Sequence, residues 1–144
     1  MKNKRALRAL LSTAGQYFTQ NKDKYPGALD RMGRRIGARL PIVHGLGRSC
    51  ISHSQDTWGR AISNRILRCL GIEDSSHGIS SSSGRVIVKI PKLWETDDPS
   101  MALPVFTAVI ERVFSGWHVP VRIEVNLDKS ILLAIVPEDK NKEK

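Results

Sequence analysis

The stretch that decides the fold runs from residue 85 to residue 137: RVIVKI (85–90), PKLWETDDPSMALPVFTAVIERVFSGWH (91–118), VPVRIEVNL (119–127) and DKSILLAIVP (128–137). Val86, Val88 and Ile90 alternate with Arg85, Ile87 and Lys89, and Val119, Val121, Ile123 and Val125 alternate with Pro120, Arg122, Glu124 and Asn126. A period of two predicts strands. The run Ile131 to Val136 is apolar on both faces, which suits a strand covered on two sides. Leu103, Phe106, Val109, Ile110 and Val113 recur at helical spacing between the first two strands. Asp97-Asp98-Pro99 is a helix-start signal, and Pro104 either kinks that helix or begins it. Asn126 to Ser130 then joins the last two strands as a hairpin.

The expected fold is therefore α+β: N-terminal helices, then a β-α-β-β unit forming a mixed or antiparallel sheet with helix cover on one face. One domain accounts for residues 1–144. It divides into a basic helical part (1–72), a serine-rich linker (73–84), the core (85–137) and a charged tail (138–144).

Working back toward the N-terminus, Ser54 to Leu70 reads as a helix with Trp58, Ile62, Ile66, Cys69 and Leu70 inward and Gly71 as its stop. Ala28 to Arg39 reads as a weaker helix, with Leu29, Met32 and Ile36 inward and Gly33 and Gly37 as blemishes. Residues 4–18 form a third, with Leu7, Leu10, Leu11 and Ala14 on its stripe.

Charge is the second signal. The chain of 144 residues carries +9, but residues 1–70 hold 14 Lys and Arg against three acids, whereas residues 71–144 hold nine against eleven. A local net charge of +11 implies a polyanionic partner. Arg31, Arg35 and Arg39 repeat every four residues, with Arg34 beside them, and Arg60, Asn64 and Arg68 do the same, with Arg65 beside them. Arginine and asparagine fork onto phosphates and base edges. These eight residues are the predicted nucleic-acid contacts, on RNA or DNA, and Trp94 and Trp117, placed on loops, are candidates for base stacking. Trp58 is assigned to the core. The alternative is a structural or assembly protein of viral or mobile-element type, docking acidic partners or forming a homo-oligomer through a sheet edge.

Enzymatic chemistry is not expected, because no hydrolase, nucleotide-loop or metalloprotease pattern occurs; a small hydrolase stands third. Cys50, His53, Cys69 and His77 can be counted as a Cys2His2 zinc set, but the 53-to-69 interval is filled by a helix and Cys69 falls on its apolar stripe, so neither metal nor cofactor is assigned. Two cysteines make no disulfide framework, and no apolar run reaches membrane-span length. The expectation is a soluble cytoplasmic protein, with an organelle-targeting role for residues 1–20 as the alternative.

Overall fold

The computed structural model describes residues 2–51, 56–90, 103–127 and 131–137. Four helices and four strands follow one another as α1 (Lys2–Gln20), α2 (Ala28–His44), α3, β1 (Ser76–Ile79), β2 (Val86–Ile90), α4 (Leu103–Gly116), β3 (Val121–Leu127) and β4 (Ile131–Pro137), with α3 built of the consecutive stretches Asp56–Ala61, Ile62–Ile66 and Leu67–Cys69. The fold is α+β, as its alternating and helical runs dictate.

The sheet is antiparallel throughout, in the order β1-β2-β4-β3. Val86, Val88 and Ile90 face Ile135, Leu133 and Ile131 across the β2–β4 pair, and all six are buried. The opposite face carries Ile87, Leu132, Ala134 and Val136, each only half-buried. β4 is thus covered on one side, and its uninterrupted apolar run reflects a central position between two strands more than a second layer. Leu103, Val105, Phe106, Val109, Ile110, Val113 and Phe114 of α4 supply the cover and are buried with the sheet. Pro104 is exposed near the start of the described part of α4. The start signal at Asp97-Asp98-Pro99 lies outside the described residues.

The segment expected to be a mobile linker contains β1. Its residues Ser76–Ile79 are all exposed, and it is held by backbone pairing to β2, with His77 opposite Val88 and Ile79 opposite Val86. Gly59 of α3 comes so close that a Cβ there would lie 2.8 Å from the Cβ of His77. A strand secured in this way needs few apolar side chains, which is why its composition resembles a linker.

Gly33 and Gly37, which look like defects in a helix, are buried and form the contact of α2 with α4. A Cβ on Gly33 would stand 2.6 Å from both the Cβ of Ala108 and the carbonyl oxygen of Val105; on Gly37 it would stand 2.8 Å from the Cβ of Arg112 and the carbonyl oxygen of Val109. The two helices run parallel here, each step along α2 matched by a step along α4. α2 extends past Arg39 to His44 and ends at Gly45, whose φ of +64° is the left-handed conformation that glycine adopts without a Cβ penalty.

In α3 the middle turn, Ile62–Ile66, is a π-turn. The cause lies in the sequence: buried pairs recur at 58/59, 62/63 and 66/67, and Leu70 and Gly71 continue the series. That is a period of four, and an α-helix of 3.6 residues per turn would rotate it off the core. One wide turn absorbs the drift. Ser63, buried within it, donates its hydroxyl to the carbonyl of Ser75 at 3.0 Å, and its Oγ lies 2.6 Å from the Oγ of Ser75. The π-turn is thereby tied to the entry of β1. The buried apolar cluster draws residues from Leu11 to Ile135, so α1, α2 and α3 contribute to the same core as the sheet.

Candidate functional site

The basic side chains of α2 and α3 divide between local contacts and open surface. Arg31 donates from Nη1 to the carbonyl of Pro26 at 2.6 Å and so closes the α1–α2 connection; Arg34 forms an ion pair with Asp30 one turn before it. Arg35 and Arg39 of α2 are exposed, as are Arg60, Asn64, Arg65 and Arg68 of α3. The π-turn keeps residues 60, 64 and 68 in line, because its wider pitch suits a four-residue repeat. The predicted row on α3 is therefore brought together on the surface, whereas the α2 row is partly spent on local contacts.

Trp117 is not available for stacking. It is buried, lies 5.2 Å from the ring of Phe114 and donates its indole N–H to the carbonyl of Leu46 at 3.2 Å. Its placement after a helix-ending glycine suggests a loop, but the loop turns into the core. Trp58 belongs to the core as expected, edge-on to Phe114 at 5.6 Å, and its Nε1 has no hydrogen-bond partner among the described residues. Trp94 and His53 lie outside the described residues. Cys69 is half-buried against the core, and His77 is exposed on β1. Among the described residues no three His, Cys, Asp or Glu side chains gather as metal ligands.

Several apolar side chains reach solvent, Leu10 among them although its helical spacing places it on the inward stripe of α1. Ile42 and Val43, in the last turn of α2, are 83% and 66% exposed, and Leu10 of α1 is 65% exposed. At the α1–α2 connection Tyr17, Phe18 and Tyr25 cluster, with Phe18 edge-on to both tyrosines. The Tyr17 phenol is held above its ordinary range, first by the hydrogen bond with Tyr25, then by the charge repulsion that ionising both would bring, and last by slight desolvation. Tyrosines and arginine at one exposed corner are the residue types that carry protein interfaces. A half-open cleft of about 470 Å³ lies between α2, α4 and the start of β3, lined by Asp30, Arg34, Glu111, Arg112, Ser115 and Pro120 among others. The β3 edge beside it is partly closed, because Glu111 Oε2 accepts the backbone N–H of Ile123 at 3.1 Å. A side chain that satisfies an edge N–H blunts the edge for strand addition.

No helix among the described residues is long and apolar enough to cross a membrane. No family model matches the chain, and no curated protein sequence matches it. Among solved structures the chain is similar to the crystal structure of trafficking protein particle complex subunit 3 from Naegleria fowleri covalently bound to palmitic acid, with a TM-score of 0.67 and 15% sequence identity over 94% of this chain and 97% of that one. At that identity the likeness is one of fold, and it runs nearly end to end in both chains. It overturns the nucleic-acid reading and RNA or DNA as the partner of Arg31, Arg34, Arg35, Arg39, Arg60, Asn64, Arg65 and Arg68: the similar fold is found in a trafficking-complex subunit, and an excess of charge describes a surface without specifying its partner.

Proposed function

We infer that the chain is a non-catalytic subunit of a multiprotein assembly of the trafficking-particle kind, contributing a fixed scaffold on which other protein chains dock. The observation that carries this is the whole-length match in fold to such a subunit. The surface supports it: Leu10, Ile42 and Val43 stand in solvent on the helical side, and the Tyr17–Tyr25 corner adds aromatic area beside Lys22, Lys24 and Arg31. Such residues are costly to leave in water and contribute binding energy when a partner covers them. The test is affinity isolation of the tagged full chain from its native cells, with quantitative mass spectrometry of what accompanies it. Stoichiometric protein partners, at least one sharing this four-helix, four-strand architecture, are expected. Recovery of the chain alone overturns the reading.

A second reading concerns lipid. The Naegleria protein carries palmitate covalently, and this chain holds two cysteines able to form a thioester. Cys50 closes the short turn Arg48–Cys50 between the buried residues Leu46 and Ile51, and Cys69 packs beside the core at the end of α3. Intact mass of the natively isolated chain, before and after hydroxylamine, is expected to reveal one palmitoyl group removable by that reagent. Cys50→Ser and Cys69→Ser then assign it, and a mass equal to the bare polypeptide refutes this reading while leaving the assembly reading intact.

A further inference from the structure

The turn between β1 and β2 meets a three-residue ionic cluster on the sheet face turned away from the helices. The turn is tightly closed: the Ser80 N–H donates to the carbonyl of Arg85 at 2.9 Å, the Gly84 N–H donates to the carbonyl of Ser80 at 2.8 Å, and Gly84 sits at φ +70°. Ser81, Ser82 and Ser83 at its tip are exposed. The Ser83 hydroxyl oxygen accepts the backbone N–H of Arg85 at 3.3 Å. By strand alternation the Arg85 side chain leaves on the face opposite Val86, and there its Nη1 donates to Glu124 Oε1 at 2.7 Å, while Arg122 Nη1 lies 3.0 Å from Glu124 Oε2. Two guanidinium groups thus share one carboxylate, an excess of one positive charge, and the serine two residues before one of them already accepts that residue's backbone N–H.

The geometry points to Ser83 as a phosphorylation site whose phosphate takes Arg85 over from Glu124. A kinase supplies the step: the Ser83 oxygen bonds to the γ-phosphorus of a nucleoside triphosphate, the bond from that phosphorus to the β–γ bridging oxygen breaks, the hydroxyl proton leaves to the kinase's base, and the nucleoside diphosphate departs. The new group carries about −1.5 to −2 charge and three acceptor oxygens, which the arginine fork and the adjacent backbone N–H are suited to hold. The exchange strands nothing, because Glu124 keeps Arg122. Before it, Arg85 and Glu124 link β2 to β3 across β4; after it, Arg85 braces the turn instead and that link is gone. A surface with a net positive cluster becomes one with a net negative tip, which alters what can dock on this face of the sheet.

The experiment uses the full chain with phosphoserine installed at position 83 or, for comparison, at position 82, each in the native and the Arg85→Gln background, and follows the phosphate by ³¹P NMR through its second ionisation. In the native background the phosphoserine at 83 is expected to titrate about half a pH unit or more below the one at 82, because a nearby cation favours the dianion. Arg85→Gln is expected to abolish the difference, and Arg85→Lys, which keeps the charge without the fork, to leave part of it. Circular dichroism establishes that each variant is folded, which is expected for changes at a partly exposed side chain. Equal midpoints at 82 and 83, or a difference that survives Arg85→Gln, overturn the exchange. Phosphopeptide mapping of the chain from its native cells is expected to find phosphate on Ser83, and a turn peptide recovered only in unmodified form overturns the site.

Discussion

Replacing Gly33 by alanine sets two calculable effects against each other. In an exposed helix the change would stabilise by about 0.5–1 kcal/mol, since glycine forfeits more backbone freedom on folding than alanine. Here the new methyl would meet the Ala108 Cβ and the Val105 carbonyl oxygen, each at 2.6 Å, where carbon atoms prefer about 3.5–4.0 Å. Relief requires α2 and α4 to separate by on the order of 1 Å along a contact where both neighbours are backbone or the first side-chain atom, with no rotamer to yield. Overpacking of this kind costs about 1–3 kcal/mol, and the upper part of that range applies where two contacts are violated at once. The net expectation is a loss of about 1–2 kcal/mol, read as a lower urea midpoint at unchanged slope. Gly37→Ala, with its contacts at 2.8 Å, is expected to lose less. Adding Ala108→Gly to Gly33→Ala should recover part of the loss, because one of the two obstructions is then gone. If Gly33→Ala is as stable as the native chain or more so, the close approach of these helices is refuted and the glycines are ordinary propensity defects.

Trp117→Phe removes the donor that satisfies the Leu46 carbonyl, and is expected to cost about 1–3 kcal/mol in urea unfolding, more than a surface tryptophan would. Ser63→Ala leaves the Ser75 groups without their buried partner; a loss of about 1–3 kcal/mol is expected, with faster amide exchange at the start of β1. A spectrophotometric titration should place the Tyr17 phenol above the ordinary value of about 10, and Tyr25→Phe should return it downward. Since that pKa is raised in the folded state, the stabilisation it reports is complete below pH 10 and disappears as pH climbs through the raised midpoint.

The strands β2, β3 and β4 and the helix between them were legible as elements, β2 and the helix because each has a buried face written in its own period, Val86-Val88-Ile90 being the plainest case, although in β3 only Val121 of the alternating set is fully buried. β1 was not, since backbone pairing and a glycine contact hold it and no apolar stripe marks it. Gly33 and Gly37 were misread for a related reason: a glycine that admits a neighbouring helix and a glycine that weakens its own look alike until the neighbour is known. Trp117 followed a helix-ending glycine and so resembled a loop residue, although its acceptor stands 71 positions away. The π-turn could have been anticipated, because Trp58, Ile62, Ile66 and Leu70 are spaced by fours where an α-helix calls for alternating threes and fours. The basic rows were visible as surface, but nothing in a charge pattern says whether nucleic acid, protein or solvent faces it.

That four-residue spacing has a consequence for how α3 tolerates change. The helix contains one residue more than its ends require, and the surplus is housed in the wide turn, whose outward positions are Asn64 and Arg65. Excision of Asn64 would let the coil tighten to ordinary pitch while Trp58 upstream and Leu67 downstream keep their headings. Loss of a residue outside that turn offers no such slack, and would swing every side chain beyond it by about 100°.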